Sequence, residues 1–130
     1  GELAEREARA WQPWLDWAAR ELGCRLFATD ALDPLPQPQA SLEAVRNHAQ
    51  RLDDWRLIGL HAATRQTGSV VLGMAMALRR LDAETAFVLA LLEELYEIEG
   101  WGLEAEQAKR HAALRQDLVA VETLFRNLDN

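Results

Sequence analysis

Apolar positions recur along this chain at three- and four-residue steps, the spacing that gathers them on one side of an α-helix. Residues 2–22 are rich in Ala, Glu, Arg and Leu, all strong helix formers, and Gly23 is placed to stop the helix they form. Pro13 lacks an amide hydrogen and crowds the preceding turn, so it predicts a kink, or two helices meeting near Gln12. Residues 25–29 alternate weakly and predict a short extended segment. Residues 30–39 hold Pro34, Pro36 and Pro38, which predict an extended, polyproline-like connection.

Ser41 is the expected N-cap of a helix reaching Arg51, with Glu43 in its first turn. Asp53 is the next expected cap, for a helix over 55–66 that ends at Gly68, and Ser69 caps again at once. Residues 70–81 are apolar on every face, the pattern of a helix buried on all sides, and Gly73, Ala75 and Ala77 keep it thin. Asp82 opens a helix over 82–99 that stops at Gly100, and a last helix covers 103–128. Together these predict an all-α fold, a single compact bundle of about six helices around one apolar central helix. Trp11, Trp14 and Trp17 fall in one helical stripe and are expected to pack inside the bundle, since free indoles would invite aggregation.

Charge narrows the partners. With 14 Lys and Arg against 21 Asp and Glu, the chain of 130 residues carries a formal charge of −7, which repels phosphate backbones and anionic lipid surfaces. A hydrophobic content of 49% is that of a folded domain rather than an acidic tail. Membrane insertion is not expected, because the longest apolar run, 70–78, is about half the roughly 20 residues a spanning helix needs. Cys24 is the single cysteine, so no internal disulfide forms and a reducing compartment fits. The chain opens on Gly1-Glu2-Leu3 within a helical pattern and without an initiating Met, which suggests a fragment or a processed form.

Candidate chemistry is sparse. His48, His61 and His111 follow Val45, Ile58 and Ala108 at three residues, so the Glu-x-x-His pairs of metal-holding bundles are missing, and no metal or other cofactor is expected. Ser41, Ser69 and Cys24 lie in no nucleophile motif. Thr67-Gly68-Ser69 lacks the lysine, the glycine-rich loop and the preceding strand of a phosphate cradle, and reads as a tight interhelical turn. An enzyme acting on a small molecule is not expected.

Three runs stand out by order and spacing: Leu52-Asp53-Asp54-Trp55-Arg56-Leu57, then Thr67-Gly68-Ser69, then Leu92-Glu93-Glu94-Leu95-Tyr96 closing on Trp101-Gly102. With Trp11-Gln12-Pro13-Trp14-Leu15-Asp16-Trp17-Ala18, Leu22-Gly23 and Thr29, they resemble the C-terminal helical domain of the F-type ATP synthase assembly chaperone family that binds the α subunit. Leu95, where many relatives carry an acidic residue, and Glu97, where Gln is frequent, depart from that pattern. The resemblance implies a non-catalytic holder of the unassembled α subunit, which prevents its aggregation before β replaces the chaperone. It also implies that residues 1–130 are the helical domain, that the β-rich N-terminal domain of the family has no counterpart here, and that the location is the bacterial cytoplasm or, alternatively, the mitochondrial matrix. Partner-binding candidates are Glu94, Glu93, Glu97, Tyr96 and Arg56. Trp55, Gly68, Ser69, Trp101 and Gly102 are structural motif positions, with Trp101 expected to fill the gap between the last two helices. The rival reading is a generic helical interaction module that dimerises through the tryptophan stripe.

Glu94 bears most directly on function. At 100° per residue, Phe87, Leu91, Glu94 and Ile98 share a narrow arc of the expected 82–99 helix, while Glu93 and Glu97 lie on a neighbouring face. A carboxylate in an apolar stripe needs a partner. It is met by an arginine of this chain, with Arg56, Arg65, Arg79 and Arg80 the candidates, or by a basic group on another protein.

Overall fold

Three side-chain caps set the middle of the chain. Asp53 accepts from the amide of Arg56 at 2.8 Å, Ser69 from that of Leu72 at 3.3 Å and Asp82 from that of Thr85 at 2.8 Å. In the computed structural model, which describes residues 1–24 and 39–130 except the side chain of Trp101, these caps open three of seven α-helices. The helices are α1 (Glu2–Trp17), α2 (Gln39–Gln50), α3 (Asp54–Thr67), α4 (Val70–Ala77), α5 (Ala83–Ala90), α6 (Leu92–Trp101) and α7 (Ala105–Leu128). Among the described residues there is no strand. The extended segment expected over 25–29 and most of the proline-rich connection, with Thr29, lie outside the described residues.

The all-α reading holds, and several boundaries move. α1 runs on through Pro13, so no two helices meet near Gln12. Its departure from α geometry falls later, in a π turn (Ala18–Leu22) closed by Gly23 at φ 66°. Ser41 is buried inside α2 instead of capping it, because the helix has already begun at Gln39. α4 stops at Ala77, short of the expected Leu81. The amide of Arg79 reaches the Met76 carbonyl and that of Arg80 the Ala75 carbonyl, the two bonds of a Schellman stop. Arg79 takes φ 64° at the position where glycine usually sits, so no glycine marks this stop in the sequence. The expected 82–99 helix divides at Leu91 into α5 and α6, and α6 ends before Gly102 rather than at Gly100. Ala90, Leu91 and Leu92 are good helix formers, so this break reflects tertiary packing.

α4 packs against α1, α3, α5 and α7, and its residues Val71, Leu72, Met74 and Met76 are fully buried with Leu118 and Phe125 of α7. Two glycines bring helices together: a Cβ on Gly59 of α3 would lie 2.5 Å from the Phe125 ring, and one on Gly73 of α4 would lie 2.3 Å from Thr64 Oγ1 of α3. The tryptophan stripe packs inward. Trp17 is buried, Trp11 and Trp14 lie against the core, and the Trp14 and Trp17 rings meet edge-on at 6.2 Å.

Candidate partner-binding surface

α6 carries four of the five partner-binding candidates and, among its described side chains, none that is buried. Its sequence explains this: Glu93, Glu94, Glu97 and Glu99 leave too narrow an apolar face for deep burial. Polar contacts hold it instead. Both oxygens of Glu99 accept from Nη1 of Arg6 on α1, at 3.0 and 2.9 Å, and Glu2 accepts from Nη2 at 3.0 Å. The Arg6 guanidinium also lies 5.1 Å from the centre of the Tyr96 ring, whose hydroxyl is 3.5 Å from Glu2. The hydrogen bond to Glu99, reinforced by Glu2, pushes the Arg6 pKa up. Glu2, Tyr96, Glu97, Glu99 and Gly100 line a shallow acidic recess beside this contact.

Glu94 turns toward α7. Its Oε2 lies 2.7 Å from Nε2 of His111, and since an ionised carboxylate only accepts, Nε2 carries the hydrogen. Its Oε1 faces Nη1 of Arg110 at 3.6 Å. None of Arg56, Arg65, Arg79 or Arg80 meets it; both of its partners come from α7. His111, read from sequence as one of three unremarkable histidines, is buried against Phe87 with ring centres 6.0 Å apart. A signal was present: His111 falls on the stripe of Leu114, Leu118, Val121 and Phe125 along α7. Glu93 and Glu97 are exposed.

Arg56 lies elsewhere, at the start of α3, paired with its own cap Asp53 and with Asp129 at 2.5 Å. Asp129 also approaches Nε of Arg79 at 3.6 Å, tying the starts and ends of α3, α4 and α7 together. The Asp129 bond, then that of Asp53, raises the Arg56 pKa, and the Arg56 amide leads in lowering that of Asp53. Trp55 beside it is 62% exposed, and Ile58, three residues on along the same side of α3, is exposed too. Gly68, at φ 74°, ends α3 with its amide on the Thr64 carbonyl, and Ser69 opens α4, so this pair forms the interhelical turn. Gly102, at φ 87°, ends α6. The expected role of the Trp101 side chain lies outside what the structure describes. Among the described residues, no group of three or more His, Cys, Asp or Glu side chains could hold a metal ion.

No model of a known protein family matches the chain. Solved structures do. Atp12 from Paracoccus denitrificans is 32% identical, with a TM-score of 0.91 over 96% of this chain and 54% of that one. An aspartate-to-lysine mutant of the same protein matches at 32% identity and a TM-score of 0.92, over 97% of this chain and 54% of that one. A chaperone candidate from Agrobacterium tumefaciens, Atu1473, matches at 29% identity and a TM-score of 0.83, over 96% of this chain and 47% of that one. In fold and in sequence the chain is thus similar to these proteins over nearly its whole length. That likeness agrees with the ATP synthase assembly chaperone family that its motifs resemble. It spans about half the length of these relatives.

Proposed function

We propose that the chain is the client-holding helical domain of an ATP synthase assembly chaperone. In this reading it binds the unassembled α subunit and keeps it from aggregating until β takes its place, without catalysing a reaction. The observation that carries the reading is the likeness to Atp12 in both fold and sequence over nearly the whole chain. The surface chemistry supports it: an acidic helix, α6, with Glu93 and Glu97 exposed and Glu94 half-buried, suits a basic client surface, and exposed Trp55 and Ile58 suit an apolar one. Glu93, Glu94, Glu97 and Tyr96 contact the client, and Arg56 fixes the helix end that presents Trp55.

The proposed location is the bacterial cytoplasm, as the sources of the solved relatives suggest. Among the described residues, no helix is long and apolar enough to cross a membrane. The test is light scattering from isolated α subunit as it aggregates. Suppression that saturates near one chain per subunit, with co-elution of the two, is the expected result. Unchanged scattering together with separate elution would overturn the reading.

A further inference from the structure

The two oxygens of Glu94 keep different company. Oε2 is bonded at 2.7 Å to His111, which is 9% exposed and wedged edge-on against Phe87. Oε1 faces Arg110 across 3.6 Å, too far for a hydrogen bond, and the Arg110 side chain is 64% exposed. Burial fixes the first contact, whereas the second is an open, solvent-screened pair of the weak kind. A carboxylate has lone pairs for more than one donor on each oxygen, and the Glu94 side chain is about one-third exposed, so Oε1 retains capacity for a further donor. The flanking charges favour a cation there: Glu93 and Glu97 are exposed on the same helix and make no ion pair among the described residues.

We propose that Oε1 of Glu94 is the seat of a lysine or arginine side chain of the client. His111 is the positioning residue that holds the carboxylate by Oε2, and Arg110 is an internal competitor that the client's cation displaces. This rests on the proposed function, because it takes the client to read Glu94. Displacement costs little, since the contact given up is exposed and long. What replaces it is a charge pair partly desolvated by the docked client, the kind that contributes most to association.

The experiment is a mutant cycle read as affinity for isolated α subunit. Arg110→Ala is expected to bind about two- to fivefold tighter, the fold-change that loss of a weak exposed pair yields. Lys109→Ala, an exposed neighbour paired with Glu106, removes the same net charge without touching Glu94 and calibrates the long-range effect. In a Glu94→Gln background, Arg110→Ala should fall to that calibration value. His111→Leu should weaken binding with helical circular dichroism retained, His111→Gln should restore it through its amide donor, and neither should matter once Glu94 is Gln. Should His111→Leu unfold, His111→Gln and the Arg110 cycle still decide. An Arg110→Ala affinity no higher than that of Lys109→Ala overturns the competitor assignment while leaving the proposed function standing. Wild-type affinity in Glu94→Gln overturns the seat itself, and absence of binding by the wild-type chain overturns the proposed function with it.

Discussion

Gly73 of α4 lies against Thr64 of α3 so closely that a Cβ there would sit 2.3 Å from the Thr64 hydroxyl oxygen and 3.1 Å from its backbone nitrogen. The same hydroxyl is buried and has no hydrogen-bond partner among the described residues. This contact sets how near the two helices approach. Gly73→Ala should therefore destabilise the domain by about 1 to 3 kcal/mol, as overpacking does. Thr64→Ala removes the nearer of the two obstacles and should reduce that loss when the changes are combined. Urea unfolding of the two single variants and the double variant reads the coupling directly. Strict additivity would show that the helices are not in contact here.

Much of this was legible because it is local. Asp53, Ser69 and Asp82 announced their caps, Gly68 announced a helix end, and the apolar run after Ser69 announced burial. Features that depend on distant residues were hidden. Arg79 closes α4 where no glycine advertises a stop, and Leu91 breaks a run of good helix formers. Glu94 finds its partner 17 positions away on a helix whose direction the sequence does not give. The resemblance pointed to a family of similar proteins, but only the fold shows that Arg56 is engaged with Asp129 while Glu93 and Glu97 stay open to solvent.

Met74 is fully buried, whereas Leu78, just past the end of α4, is 37% exposed. Met74→Ala should cost about 2 to 5 kcal/mol, the range for deep truncations. Leu78→Ala, which the longer expected helix would have made equally severe, should stay below about 1 kcal/mol. Equal losses in urea unfolding would mean that α4 continues beyond Ala77.

Asp53 and Asp82 both titrate below the usual carboxylate range. The Arg56 amide is the leading cause for Asp53, and the side chain and then the amide of Thr85 for Asp82. A depressed folded-state pKa contributes stability that is present above the unfolded value, about 4, and is lost as pH falls through the folded value. The melting midpoint should therefore drop on acidification below about pH 4. Asn caps a helix as well as Asp, so Asp82→Asn should leave the midpoint near pH 7 unchanged and flatten the acid limb. An acid limb identical to wild type would contradict the cap.

None of the described side chains of α6 is buried, whereas Val71 through Ala77 of α4 all are. Local opening should follow that contrast, so α6 amides should exchange with deuterium well before those of α4. Arg6→Ala removes the link to Glu99 and Tyr96 and should quicken α6 exchange by about two- to fivefold, leaving α4 unchanged. Glu99→Lys should do the same, since Glu99 anchors α6. Equal protection of α6 and α4 would show a tighter union than these contacts supply.

Charge reversal at Glu94 has two consequences that need separating. A lysine there would face Arg110 and leave the buried His111 donor without its acceptor, which should lower stability by about 1 to 3 kcal/mol before any client is present. Glu94→Gln keeps the shape and one acceptor oxygen for Nε2–H, so it should lose less than Glu94→Lys. Glu93→Lys, on an exposed neighbouring position, should melt within about 0.5 kcal/mol of wild type. The order of melting midpoints is thus Glu93→Lys, then Glu94→Gln, then Glu94→Lys. Nitrogen-15 spectra of His111 supply an independent reading, because loss of the carboxylate partner should shift the Nε2 resonance in Glu94→Lys and leave it in place in Glu93→Lys. A Glu94→Lys domain as stable as wild type, with an unmoved His111 signal, would mean that the Glu94 to His111 bond is not formed in solution. Binding losses in Glu94→Lys could then be assigned to the client face alone.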